Sequence, residues 1–283
     1  MRVTAYVLAG DPAWIPQSIG SYYATVDRIV VSYDRSGRSW SGAPLSVEAS
    51  LERLAACDPD GKMVLLPGAH SEPGNIATDT ETKQRQEALD AASEGADWVI
   101  QLDTDEIIPV AADLLDHIGQ ARARGAEAVE FPARMFYART SDGRFLEHSG
   151  RFWSTLAGFP GPIAVKAGTR LTHARQTAGA PLYRVDVRAW NTDPAHPWSA
   201  PVHAIVRPER AIRHLSWVRT EEQMLEKSAT SGHAASRDWH RELERWRRRA
   251  RRPLATALLA PFTRDPLDRY RLSRMPELAS ASP

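Results

Sequence analysis

Asp103 and Asp105 close the apolar run VIQLDTDEII, so two carboxylates arrive abruptly where a buried segment ends. An Asp-x-Asp triplet is common in surface turns, and its place after an apolar run is what makes this one informative. Along an extended chain the two side chains fall on the same side, because side-chain direction repeats every two residues. Like charges so placed repel unless a cation lies between them. A hard divalent ion, Mg2+ or Mn2+, held by one or two carboxylates and completed by phosphate oxygens supplies that charge. Asp34 closes an earlier apolar run, VDRIVVSYD, and Arg85 lies in the helical stretch that precedes the acidic cluster.

Periodicity predicts the elements that carry these residues. Residues 3–9 (VTAYVLA) form an apolar run stopped by Gly10-Asp11-Pro12, a strand followed by a loop. A helix is predicted over 14–24, a strand over 26–33, a helix over 46–56, a strand over 63–66, a long helix over 81–94 and a buried strand over 98–102. Strands alternating with helices predict an α/β fold with a mostly parallel central sheet flanked by helices. Ligands of such sheets sit beyond the carboxyl ends of the strands, where Asp34 and residues 103–106 both fall. Residues 128–137 and 151–175 read as short extended runs broken by Gly and Pro, a mixed second half continuous with the first sheet. Residues 220–251 turn helical, ahead of a tail rich in Pro, Ser and Arg.

Composition narrows the function classes. Lys plus Arg number 36 against 35 Asp plus Glu, a balance that argues against a nucleic-acid coat. An apolar share of 42% without a run of the ~18 residues a membrane span needs predicts a soluble globular protein. The start, MRVTAYVLAGDPAW, reads as a first strand rather than a signal peptide. A single cysteine, Cys57, excludes an internal disulfide framework and a Cys-based zinc site, and points to the cytoplasm. Its place at the end of a helix suits packing.

Residues 1–110 resemble a GT-A fold glycosyltransferase of the family 2 type. The matching segments are VTAYVLAGD, VDRIVVSYDRSG and KQRQEALDAASEGADWVIQLDTDE, in that order. The resemblance implies a metal-dependent, inverting transfer of a sugar from a nucleotide-diphosphate donor to an acceptor hydroxyl. It assigns Ala9, Asp34 and Arg85 to the nucleotide, Asp103 to ribose and the metal-diphosphate, and Asp105 to the metal, Mn2+ or Mg2+. The acceptor class, whether glycan, natural product, lipid or protein, stays open. Two departures also leave the donor open: the loop SYDRSGRS lacks the second acidic residue often found there, and Gln86 stands where family 2 commonly has Asn.

The segment RAIRHLSWVRTEEQMLEKSA is similar to the late part of several GT-A families, in which a histidine completes the metal shell. His214 is the candidate, with His203 in reserve, and imidazole favours Mn2+ over Mg2+. Trp217 is either a wall of the sugar site or a core residue, and Lys227 either a diphosphate partner or a solvated helix residue. Inversion needs a carboxylate as general base, for which Asp186, Asp193 and Glu147 are the candidates. The organisation expected is a nucleotide-sugar half over 1–110, an acceptor-shaping half of the same domain over 111–219, and a C-terminal helical segment and tail over 220–283.

Two other readings share this sequence. One is a nucleotidyltransferase, although LAGDPAW lacks that class's usual Gly-rich loop with Lys or Arg; the other is a non-catalytic module that binds polyanions or sugar nucleotides. The stretch RDWHRELERWRRRARR, residues 237–252, holds eight Arg against three acids and puts Trp239 and Trp246 on one helical face. Such a helix either docks by its tryptophans or contacts an anionic membrane surface.

Overall fold

A computed structural model of the chain describes residues 1–71, 76–230 and 237–275. The first part runs β1 (Val3–Leu8), α1 (Ile15–Tyr22), β2 (Ile29–Asp34), α2 (Val47–Ala56), β3 (Met63–Gly68), α3 (Ala77–Ser93), β4 (Trp98–Gln101), β5 (Glu106–Ile107) and α4 (Ala111–Ala123). Nine strands follow: β6 (Ala128–Glu130), β7 (Ala133–Arg139), β8 (Phe145–His148), β9 (Ala164–Lys166), β10 (Leu171–His173), β11 (Gln176–Thr177), β12 (Leu182–Asp186), β13 (Ala204–Ile205) and β14 (Ile212–His214). The chain then forms α5 (Glu221–Thr230), α6 (Trp239–Arg251), α7 (Pro253–Leu258) and β15 (Tyr270–Ser273). Residues 231–236, inside the helical stretch expected over 220–251, lie outside the described residues.

The large sheet has the order β13-β12-β6-β9-β4-β1-β2-β3, parallel throughout except for β9, which runs antiparallel to both of its neighbours. This is the mostly parallel, helix-flanked central sheet expected from the sequence. Alternation along β1 explains its two covered faces. Val3, Ala5 and Val7 join the cluster containing Ile15 and Ile19 of α1, Leu54 of α2 and Leu114 of α4, whereas Tyr6 joins Ala88, Leu89 and Ala92 of α3. Edge strand β3 carries Pro67, which has no amide to donate to a further strand, and leaves Val64 and Leu65 exposed.

The apolar run over 128–137 is divided rather than continuous. Pro132 breaks it, so β6 stays in the large sheet while β7 enters a second sheet of order β15-β8-β7-β14-β5. That second sheet matters for the site, because β14 pairs antiparallel with β5 and sets His214 opposite Glu106.

Candidate active site

A cleft of about 420 Å3 opens at the carboxyl ends of β1, β2 and β4. Its walls include Ala9, Asp34, Arg85, Asp103, Asp105, His214 and Lys227, so the structure brings these residues to one place. Ala9 is buried just past β1, and its amide donates to Ser32 O at 2.8 Å, which leaves a small smooth wall.

Asp34 ends β2 and serves largely to shape its own loop. Its Oδ1 accepts the Ser36 amide at 2.9 Å and the Ser36 hydroxyl, and its Oδ2 accepts the His70 amide at 2.6 Å. Burial opposes ionisation, but these bonds outweigh it and hold the carboxyl below the usual range. Gly37, at φ 65°, completes the turn and starts the loop that carries Trp40. Trp40 donates to Gln84 Oε1 at 2.7 Å, and both residues line the cleft.

Arg85 projects from α3, where its Nη2 donates to Asp103 Oδ1 at 2.9 Å and its Nε donates to Glu81 Oε1 at 3.0 Å. Burial raises the cost of the Asp103 charge, yet Arg85 and then Arg175 more than compensate, and the carboxyl is held below the usual range. Gln86, one residue on, faces away from the cleft and ties α3 to β10: its Oε1 accepts the Leu171 amide at 2.8 Å.

The chain turns directly after β4, with the Glu106 amide donating to Asp103 O at 3.0 Å. An extended course that would set Asp103 and Asp105 side by side is therefore not observed. Asp103 goes to Arg85, while Asp105 goes to residues from the far end of the chain. Arg219 donates from Nη2 to Asp105 Oδ2 at 3.0 Å and pairs with Asp11 at 2.8 Å, its side chain 1% exposed. Lys227 of α5 places its Nζ 4.0 Å from the same Oδ2.

The other oxygen of Asp105, Oδ1, faces His214 Nε2 across 3.8 Å. The opposite ring nitrogen, Nδ1, lies 3.2 Å from Glu106 Oε1. Glu106 is fully buried and held by two 2.6 Å bonds from Arg175; despite the burial, Arg175 and His214 keep its carboxyl well below the usual range. Burial pushes the His214 imidazole down, but Glu106 and Asp105 outweigh it and the ring is shifted up.

Among the described residues no three His, Cys, Asp or Glu side chains form a group that could hold a metal ion. The expected trio of Asp103, Asp105 and His214 is accordingly not assembled. Its second and third members would offer a hard ion one carboxylate oxygen and one imidazole nitrogen, with Glu106 3.2 Å behind the ring, and phosphate oxygens would complete the shell.

The remaining candidates do not line this cleft. Asp186, at the end of β12, spends its carboxylate on the Val187 amide (2.6 Å), the Thr192 amide (2.9 Å) and the Thr192 hydroxyl (2.7 Å). Asp193 accepts the Phe159 amide at 3.0 Å and the Ala195 amide at 2.8 Å. The Asp186 carboxylate is consumed in folding its own loop, and that of Asp193 ties the loop to Phe159. Glu147 is buried in the second sheet between Arg134 and Arg271. His203 accepts the Arg184 amide at 3.0 Å and stacks on Tyr183. Trp217 stacks on Tyr137 and Trp239, partly buried against the cluster of Tyr137, Leu243 and Trp246. Cys57 caps α2, partly buried.

No family model matches the chain, and no curated protein matches it. Among solved structures, it is similar to the mannosyltransferase PcManGT from Pyrobaculum calidifontis in complex with GDP-Man and Mn2+ (20% identity, 47% of this chain, 36% of that one, TM-score 0.33). It is also similar to 4-diphosphocytidyl-2C-methyl-D-erythritol synthase from Anaerococcus prevotii DSM 20548 (11% identity, 59% and 70%, TM-score 0.36). A third is TarS 1-349 from S. aureus (15% identity, 48% and 36%, TM-score 0.34). The match thus spans 36% of the mannosyltransferase and of TarS, and these likenesses concern the fold alone.

Proposed function

We propose that this protein is a glycosyltransferase that moves a sugar from a nucleotide-diphosphate donor to an acceptor hydroxyl, with a divalent ion and inversion at the transferred carbon. The observation that carries the reading is the convergence of Arg85–Asp103 and Asp105–His214 on one cleft at the strand ends. Residues 1–110 supply the nucleotide side, residues 111–219 shape the acceptor side, and the C-terminal segment adds α5 to the cleft.

Each group then has a task. Asp34 keeps acceptor capacity on Oδ2 for the base or ribose, and Asp103, oriented by Arg85, meets the ribose. Asp105 and His214 would hold Mn2+ or Mg2+, which when bound neutralises charge on the departing diphosphate. Arg219 occupies Asp105 Oδ2, so that Oδ1 is the oxygen left facing His214. Ser46 donates to Glu226 at 2.8 Å and Ser41 donates to Ala229 O at 2.9 Å; these bonds tie the 39–46 loop to α5 and help exclude water. Glu226 lines the cleft without an ion pair among the described residues, and we assign it the general-base role in place of Asp186 or Asp193.

Incubating the purified protein with a panel of nucleotide-diphosphate sugars, with and without Mn2+, tests the reading by product analysis. Release of a nucleoside diphosphate supports it. Release of pyrophosphate from a nucleoside triphosphate and a sugar phosphate would establish the nucleotidyltransferase reading instead.

A further inference from the structure

Helix α6 uses its tryptophans inward. Trp246 is 7% exposed and donates to Tyr137 O at 3.1 Å, and Trp239 stacks on Trp217. Several of its arginines are paired within the fold, Arg247 with Glu221 and Arg249 with Asp268. The surface that stands out lies just beyond it.

Residues 253–262 read PLATALLAPF, with no charged side chain. Here the usual amphipathic order is reversed: the small Ala257 and Ala260 face inward, while Leu254, Leu258, Leu259 and Phe262 are exposed at 57%, 64%, 58% and 81%. Leu254 and Leu258, four residues apart in α7, share one outward side, and Phe262 is exposed in the turn that follows. Beside them, Phe152 and Trp153 are exposed and adopt left-handed backbone angles, φ 58° and 61°, a conformation bulky residues avoid. Two bonds fasten this loop to the apolar segment: Trp153 Nε1 donates to Ala257 O at 2.7 Å and Arg151 Nε donates to Pro261 O at 3.3 Å. Residues 245–264 hold seven Arg and no Asp or Glu, and Arg151, Arg248, Arg251, Arg252 and Arg264 are exposed.

We propose that this face seats the protein on an anionic phospholipid bilayer, with Phe152, Leu254, Leu258 and Phe262 at the boundary between headgroups and acyl chains and the arginines among the lipid phosphates. Large apolar side chains bordered by guanidinium groups match the two layers such a surface offers. Charge decides against the other occupants. A second copy docked through the same face would set its arginines against their own equivalents. A nucleic acid would satisfy the arginines and leave the leucines in water. The proposal stands independently of the glycosyl-transfer reading.

Cosedimentation of the full chain with vesicles tests it, at about 100 mM salt, where charges reach across ~10 Å. Binding is expected to vesicles of equal phosphatidylglycerol and phosphatidylcholine, and to fall by about tenfold or more on phosphatidylcholine alone. The double variant Leu258→Ser with Phe262→Ser should lose binding to a similar degree, as should Arg251→Gln with Arg252→Gln. Both pairs are exposed, so the thermal midpoint should hold in each variant. Absence of binding to the anionic vesicles overturns the proposal. So does unchanged binding by the Leu258/Phe262 variant, or a wild-type dimer that this variant disperses.

Discussion

Asp105 and His214, 109 positions apart in sequence, face each other at 3.8 Å, with the far side of the imidazole 3.2 Å from Glu106. The antiparallel pairing of β5 with β14 creates this relationship by placing His214 opposite Glu106. Because both acids favour the imidazolium, a proton would compete with the proposed metal ion for Nε2.

That competition has a direction. Mn2+ affinity should rise with pH through the raised His214 value. Without metal, the histidine's charge contribution to stability is fully present below its ordinary value near ~6.5 and is lost as pH rises through the raised one. His214→Ala should raise the Mn2+ requirement and flatten the pH dependence of binding, whereas His203→Ala should do neither. Titrating Mn2+ at several pH values checks both variants; equal effects would mean lost packing.

Asp105→Asn should abolish transfer and weaken nucleoside-diphosphate binding mainly when metal is present. It should also destabilise the protein by roughly 1–3 kcal/mol, because Arg219 is buried and would keep only Asp11 as a charged partner of its Nη2. Asp103→Asn should weaken nucleotide binding with or without metal. Calorimetry with and without Mn2+ separates the two.

Replacing Asp186 and Glu226 should divide structure from chemistry. Asp186→Asn replaces one of the two accepting oxygens by an amide nitrogen, which leaves either the Val187 or the Thr192 amide without its acceptor, and should cost roughly 1–3 kcal/mol of stability while leaving kcat near its original value. Glu226→Gln should leave the thermal midpoint unchanged and lower kcat by at least about a hundredfold. The opposite pattern would return the base to β12.

The place of Asp34, Arg85 and Asp103 in the cleft was legible because it is local. Asp34, Arg85 and Asp103 each follow from an apolar run or helix whose period announces where it ends, and the parallel sheet then brings those ends together. Asp105 was misread in direction because a period-two argument assumes an extended chain, and the Asp103–Glu106 turn removes that assumption. Arg219 and Glu226 reach the cleft only through the second sheet and α5, pairings between segments a hundred residues apart that leave no local periodic trace. Trp40 depends on a loop built by Asp34 and Gly37, and Asp186 shows the converse, a strand-end carboxylate consumed by the amides of its own loop.

Acid sensitivity should trace in part to His148. Burial, with Arg249 nearby, pushes its imidazole down to about 4. A histidine held neutral in the fold contributes stability above its ordinary value near ~6.5, and that contribution is lost as pH falls toward the depressed one, on the order of 3 kcal/mol in all. His148→Gln should therefore flatten the loss of stability between those pH values, read from denaturant midpoints.

Calorimetric binding of nucleoside diphosphates with Mn2+ to the wild type and to Asp105→Asn is the decisive test of metal-dependent donor binding. At least one nucleoside diphosphate should bind the wild type tightly only when Mn2+ is present, and Asp105→Asn should lose the metal-dependent part while remaining folded. Binding that is equally tight without metal, or unchanged in Asp105→Asn, would contradict it.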